Sequence, residues 1–133
     1  TVSIPDNVIS IGKRAFYNTY SLESVTIGDS VTTIGDNAFS WCRSLHTVTM
    51  GVDVVSIGAG AFWGCKSLKA VTIPGRVTVL RTGIFHSCSS IESAIIPNGV
   101  TSISKWAFSN CTSLGSVAIP SSVTSIDDTA FSG

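Results

Sequence analysis

The dipeptide Ala-Phe recurs at Ala15-Phe16, Ala38-Phe39, Ala61-Phe62, Ala107-Phe108 and Ala130-Phe131, with Ile84-Phe85 in the remaining slot, and successive phenylalanines stand 23 residues apart throughout. All six Phe of the chain lie in this one column. Self-similarity at a fixed period of roughly 20 to 50 residues marks a repeat architecture. Each unit alone buries too little apolar surface to offset its ordering entropy, so the core has to form between stacked copies. Divided at the first residue of each copy, the units run 2–24, 25–47, 48–70, 71–93, 94–116 and a partial 117–133. This is about five and three-quarter copies in one domain over 1–133, with no insertion to break the register.

Seven further columns are apolar or nearly so. Among them are Val2/Val25/Val48/Val71/Ala94/Val117, Ile4/Ile27/Met50/Ile73/Ile96/Ile119, Ile11/Ile34/Ile57/Leu80/Ile103/Ile126, Leu22/Leu45/Leu68/Ile91/Leu114 and Cys42/Cys65/Cys88/Cys111. Val48 and Met50 are two apart, which puts both on one face of an extended segment. A Pro or Gly then ends the strand at Pro5, Gly28, Gly51, Pro74, Pro97 and Pro120. The Val31 to Ile34 segment reads as a second, short extended piece, and Asp36-Asn37-Ala38-Phe39 suits a single helical or 3₁₀ turn that carries the Phe inward. The predicted fold is a β-rich repeat solenoid. Parallel copies pair into one parallel sheet on its concave face, about 4.7–4.9 Å per step, with short strands and 3₁₀ turns on the return side.

Cys42-x-x-Leu45-x-x-Val48-x-Met50, followed by Val54-x-x-Ile57-Gly58-x-x-Ala61-Phe62, resembles the BspA-like (Treponema-type) leucine-rich repeat family, and the resemblance covers essentially the whole chain. It implies a leucine-rich-repeat solenoid of the kind found in bacterial or protozoan surface proteins and linked to adhesion. A cell-surface or secreted location follows from the resemblance only. Thr19 stands where later units have Cys, and Arg81 where the first three units have Gly. The family defines no ligand site, so it transfers no functional residue to this chain.

Eight Lys+Arg balance eight Asp+Glu, scattered singly apart from Lys13-Arg14 and Asp127-Asp128. That distribution lacks the electrostatic footprint of nucleic-acid or anionic-membrane binding, and no apolar run reaches the length of a membrane span. Opening at Thr1 rather than Met, the chain reads as a processed or excised piece of a larger protein. The four cysteines form one line whose ends are about 14 Å apart, which cannot surround a tetrahedral ion. Parallel Cβ vectors also disfavour disulfides, so buried free thiols are expected. His46 and His86 sit almost two repeats apart, and no Ser stands with a His and a carboxylate partner. No catalysis, metal or cofactor is expected.

Two surfaces are candidates for contact with a protein or cell-surface ligand. The turn after the Phe column carries Tyr17, Trp41, Trp63 and His86 in adjacent columns, with Tyr20, Arg43 and Lys66 close behind, and aromatics with Arg are the residue types of interface hot spots. The outward positions of the main strand, Thr26, Thr47, Thr49, Thr72 and Ser93 among them, form a flat and nearly uncharged face. Trp106 falls in another column and is left outside the aromatic ridge. The leading reading is a non-catalytic adhesion or protein-binding segment; the alternative is a structural spacer or stalk with no ligand of its own. Neither end carries a polar capping repeat, so end-to-end self-association is a further expectation.

Overall fold

In the computed structural model, which describes residues 1–133, each of the first five turns of the chain lays down one longer and one shorter strand, and the sixth only a shorter one. The longer strands are β1 (Val2–Ile4), β3 (Ser24–Ile27), β5 (Thr47–Thr49), β7 (Ala70–Thr72) and β9 (Ser93–Ile95). The shorter ones are β2 (Ser10–Ile11), β4 (Thr33–Ile34), β6 (Ser56–Ile57), β8 (Val79–Leu80), β10 (Ser102–Ile103) and β11 (Ser125–Ile126). All pairs are parallel, and the partners stand 23 residues apart, as in Val2↔Val25, Val25↔Val48 and Val71↔Ala94. The chain is therefore a solenoid of parallel sheets with no helix. Its return side is built from turns closed by N–H groups donating three residues back, such as Ala38 to Gly35 and Leu45 to Cys42.

A third ladder runs through the Phe segment, where Phe16, Phe39, Phe62, Phe85 and Phe108 donate to the carbonyls of Ala38, Ala61, Ile84, Ala107 and Ala130 at 2.7–2.9 Å. Behind it the six rings form one pile, with centroids 5.0–5.5 Å apart and planes within 22° of parallel. That spacing slightly exceeds the rise of about 4.7–4.9 Å per strand, so the rings stack with an offset, the arrangement their quadrupoles prefer. Phe39, Phe62 and Phe85 are fully buried, whereas terminal Phe131 remains 38% exposed.

The cysteines follow the same periodicity. All four are free and buried, and each thiol donates to the Phe carbonyl of the preceding turn: Cys42 to Phe16, Cys65 to Phe39, Cys88 to Phe62 and Cys111 to Phe85, at 3.0–3.2 Å. The same carbonyls also accept an amide from their own turn, from Thr19, Cys42, Cys65 and Cys88 in order. Both lone pairs of a buried carbonyl are thereby used. Burial pushes the Cys42 thiol up to about 12 and the Cys111 thiol to about 11, and raises Cys88 well above the ordinary range. Protonated thiols are what this ladder requires, because a thiolate has no hydrogen to donate.

The expected single sheet runs in two pieces and does not reach the sixth turn, where Val117 and Ile119 form no strand. Strands β1-β3-β5 pair, and β7-β9 pair, but β5 and β7 do not; β6 and β8 are likewise unpaired. Lys69 N–H reaches His46 at 3.4 Å at this level, against 2.9 Å for the equivalent bonds on either side. The sequence changes at two columns at this level. In the first three turns the backbones approach so closely that a Cβ on Gly51 would lie 2.2 Å from the Gly28 carbonyl oxygen, and one on Gly58 would lie 2.4 Å from the Asp36 nitrogen. The fourth turn puts Pro74 and Arg81 in these columns. Neither change breaks the ladders by itself, since Pro97 and Ser104 stand in the same columns one turn on, where β7 pairs with β9 and Ser104 donates to Leu80. The turns part at this seam on the strand side, while the Phe segment stays bonded, Phe62 to Ile84 at 2.9 Å and Gly64 to His86 at 2.8 Å.

Replacing Phe62 or Phe85 by Ala is expected to cost about 3–5 kcal/mol, and Phe131→Ala distinctly less, as measured by chemical denaturation; equal costs would mean that the pile is not the core. At the seam, Thr78 and Arg81 donate to no backbone carbonyl, whereas Thr101 and Ser104 one turn on donate to Thr78 and Leu80. Amide exchange followed by NMR should therefore be faster at Thr78 and Arg81 than at Thr101 and Ser104.

Candidate functional site

Two left-handed residues, four apart, shape each Phe segment: Arg14 and Asn18, Asn37 and Trp41, Gly60 and Gly64, Gly83 and Ser87, Trp106 and Asn110, Thr129 and Gly133. Gly and Asn suit this conformation, and their recurrence in these two columns was the sequence signal for it. Trp41 (φ 63°) and Trp106 (φ 61°) do not suit it. A bulky residue held there carries strain of about 1–2 kcal/mol. Both large rings are thus displayed at a backbone cost.

The ridge residues do not form one continuous row. In the first two turns the Arg43 guanidinium lies over two rings, 5.7 Å from the Tyr20 centroid and 5.3 Å from that of Trp41, and Arg14 lies 5.5 Å from Tyr17. Further along, Trp63 meets His86 at 4.2 Å, tilted by 49°, and His86 meets Trp106 at 6.2 Å. Lys105 sits 4.4 Å over Trp106. Trp106, left out of the ridge on its column, joins it, because the rings lean across to the next turn. Lys66 is exposed and makes neither an ion pair nor a cation–π contact.

Small residues make room for this lean. A Cβ on Gly64 would fall 2.6 Å from Trp41, and one on Gly83 would fall 2.9 Å from Trp63, so each tryptophan beds on the glycine of the following turn. Tyr17 and Tyr20 stay exposed, whereas Trp41, Trp63 and His86 are half-buried. Between its two tryptophans His86 has a buried Nδ1 with no hydrogen-bond partner. Burial lowers the pKa of the ring below its ordinary 6.5 and favours the neutral form.

On the opposite face Thr26, Thr47, Thr49, Thr72 and Ser93 are all exposed. The ladder sets Thr26 beside Thr49 and Ala70 beside Ser93, with Thr72 beside Ile95, which is 61% exposed. Between Thr49 and Thr72 the seam opens an uncharged cleft of about 540 Å³, lined also by Met50, Val52, Ile73 and Pro74. No three His, Cys, Asp or Glu side chains converge as metal ligands would, and no helix is long and apolar enough to cross a membrane.

Six copies of the BspA type leucine rich repeat region match residues 9–133. Among solved structures, a leucine-rich repeat protein from Eubacterium ventriosum superposes with a TM-score of 0.90 at 29% identity, covering 96% of this chain and 35% of that one. A leucine rich cell surface protein from Faecalibacterium prausnitzii is 38% identical, with a TM-score of 0.78, over 94% of this chain and 34% of that one. The T. pallidum leucine rich repeat protein gives 0.82 at 28% identity, over 91% and 63%. The chain thus spans from about a third to under two thirds of the length of these relatives. No curated protein matches it.

Because folding lowers the His86 pKa, the folded state binds fewer protons than the unfolded one, and stability falls as pH drops through the unfolded value of 6.5. Thermal melts across pH 5 to about 8 should show this loss, and His86→Gln should flatten the profile; an NMR titration of His86 at or above 6.5 would contradict it.

Proposed function

We propose, from the premise that this chain belongs to the BspA-type leucine-rich repeat family, that it is a non-catalytic protein-binding segment of a cell-surface or secreted protein and that its task is adhesion. The observation that carries the reading is the set of aromatic and cationic side chains held outward on the turn ridge, with exposed Tyr20 and Arg43 beside half-buried Trp41. These are the types that dominate binding energy at protein interfaces, where a large ring or a guanidinium gains most from losing water. The strained backbone at Trp41 and Trp106 supports it, since strain persists where the surrounding structure holds it and clusters at sites of function. The name of the cell surface protein from Faecalibacterium prausnitzii supports the location.

A specific observation favours the other reading, a spacer with no ligand. Trp41 and Trp63 bed on Gly64 and Gly83, so part of the ridge serves the stack itself. Immobilised host and microbial surface proteins, probed with the wild-type chain, Trp41→Ala/Trp63→Ala and the strand-face variant Thr49→Glu/Thr72→Glu, separate the two. Adhesion through the ridge requires a partner that the wild type binds and the tryptophan variant binds at least about tenfold more weakly. A loss confined to the strand-face variant moves the contact to the sheet. Absence of binding by the wild-type chain across the panel leaves the spacer.

A further inference from the structure

The chain is neutral overall, yet the turns that carry the Phe column are rich in cations. From the end of each shorter strand to the Leu column, residues 12–22, 35–45, 58–68, 81–91 and 104–114 carry Lys13, Arg14, Arg43, Lys66, Arg81 and Lys105 against one carboxylate, Asp36, while Glu23, Lys69 and Glu92 stand directly after that column. All six cations are exposed. Asp36 is engaged elsewhere, accepting the Ala59 N–H at 2.9 Å. Asp127 and Asp128 belong to the last turn, where Asp127 accepts the backbone N–H of Lys105.

The two remaining cations behave differently. Lys69 and Arg76 lie toward the strand side and are paired, with Glu92 at 3.8 Å and with Asp53 at 2.9 Å. No ridge cation has a carboxylate within ion-pair reach; Arg14, Arg43 and Lys105 lie over rings instead. A ring fixes the direction of a guanidinium without neutralising it, and leaves its N–H edge free to hold a carboxylate in a fork of two hydrogen bonds.

We infer that the turn ridge recognises an acidic polypeptide segment, with Arg43 and Lys66 as its central carboxylate anchors. This deepens, and rests on, the protein-binding reading above. Arg43 and Lys66 occupy the same column one turn apart, so their backbone positions stand about 4.8 Å apart along the rod, and their flexible side chains suit neighbouring acidic residues of one segment. Nucleic acid and glycan are less suited to this surface. The Trp41 ring is already packed against Gly64 and covered by Arg43, and Trp106 is covered by Lys105, so the faces on which a base or a sugar would stack are in use. Balanced totals and charges scattered singly along the chain gave no sign of this cluster, and their argument was against nucleic acid and anionic membranes.

The test uses the full chain with poly-L-glutamate as probe, followed by tryptophan fluorescence. The expected result is binding that weakens at least about tenfold between roughly 0.05 and 0.5 M NaCl. Arg43→Glu/Lys66→Glu should abolish it, Arg43→Gln/Lys66→Gln should weaken it about tenfold, and the strand-side reversal Lys69→Glu/Arg76→Glu should leave it unchanged. The glutamine pair, checked by circular dichroism, guards against a charge-reversed variant that misfolds. The inference is overturned if polyglutamate does not bind, if the strand-side variant loses as much as the ridge variant, or if oligothymidylate or heparin binds more tightly. A chain that ignores polyglutamate but still captures a surface protein through the strand face would refute this inference and leave the protein-binding reading standing.

Discussion

Parallel stacking at a 23-residue period obliges every turn to offer its neighbour the same donors and acceptors, and the Phe segment meets that demand at each junction. Alternate N–H groups, those of Arg14, Phe16 and Asn18 in the first turn, point along the rod to the carbonyls of Asp36, Ala38 and Ser40. The pair of left-handed residues bounding each segment aims them there. Aromatic pile and thiol ladder both hang on this register. A ring can lie on the next ring, and a cysteine can reach the Phe carbonyl of the turn before, only while equivalent residues stay level.

The columns of the core were legible in the sequence because burial leaves no choice at those positions: Phe39, Cys65, Leu68 and Ile57 are apolar in every full turn or close to it, and all are buried. The parallel register followed from the unbroken spacing. What the columns could not convey was contact between them. Trp106 stands three positions ahead of the column of His86, yet the two rings meet, because each turn places its left-handed corner beside the next turn's outward side chains. The break in the sheet coincides with the joint change from Gly51 and Gly58 to Pro74 and Arg81, but the columns stay changed at Pro97 and Ser104, where the strands pair again, so the letters do not place it.

The candidate surfaces were legible in kind and not in arrangement. Residue types alone marked Tyr20, Trp41, Arg43, Trp63 and His86 as unlike a repeat consensus. Only coordinates show Arg43 shared between two rings, His86 enclosed by two tryptophans, and the glycines at 64 and 83 giving up their side chains so that neighbouring rings can lie down. Scattered single charges read as an even surface along the sequence. Wound at this period, they separate into a ridge of unpaired cations and a strand side whose cations are paired.

The seam also has a mechanical side. One edge of the rod is stitched without interruption from the first turn to the last, whereas on the opposite edge both strand ladders are cut between the third and fourth turns and the longer one stops again after β9. Such a column resists stretching along the stitched edge and yields most readily to flexure about it. Compliance is thus greatest where both ladders are cut, and a load applied to either end swings the first three turns against the rest before it strains the pile of rings.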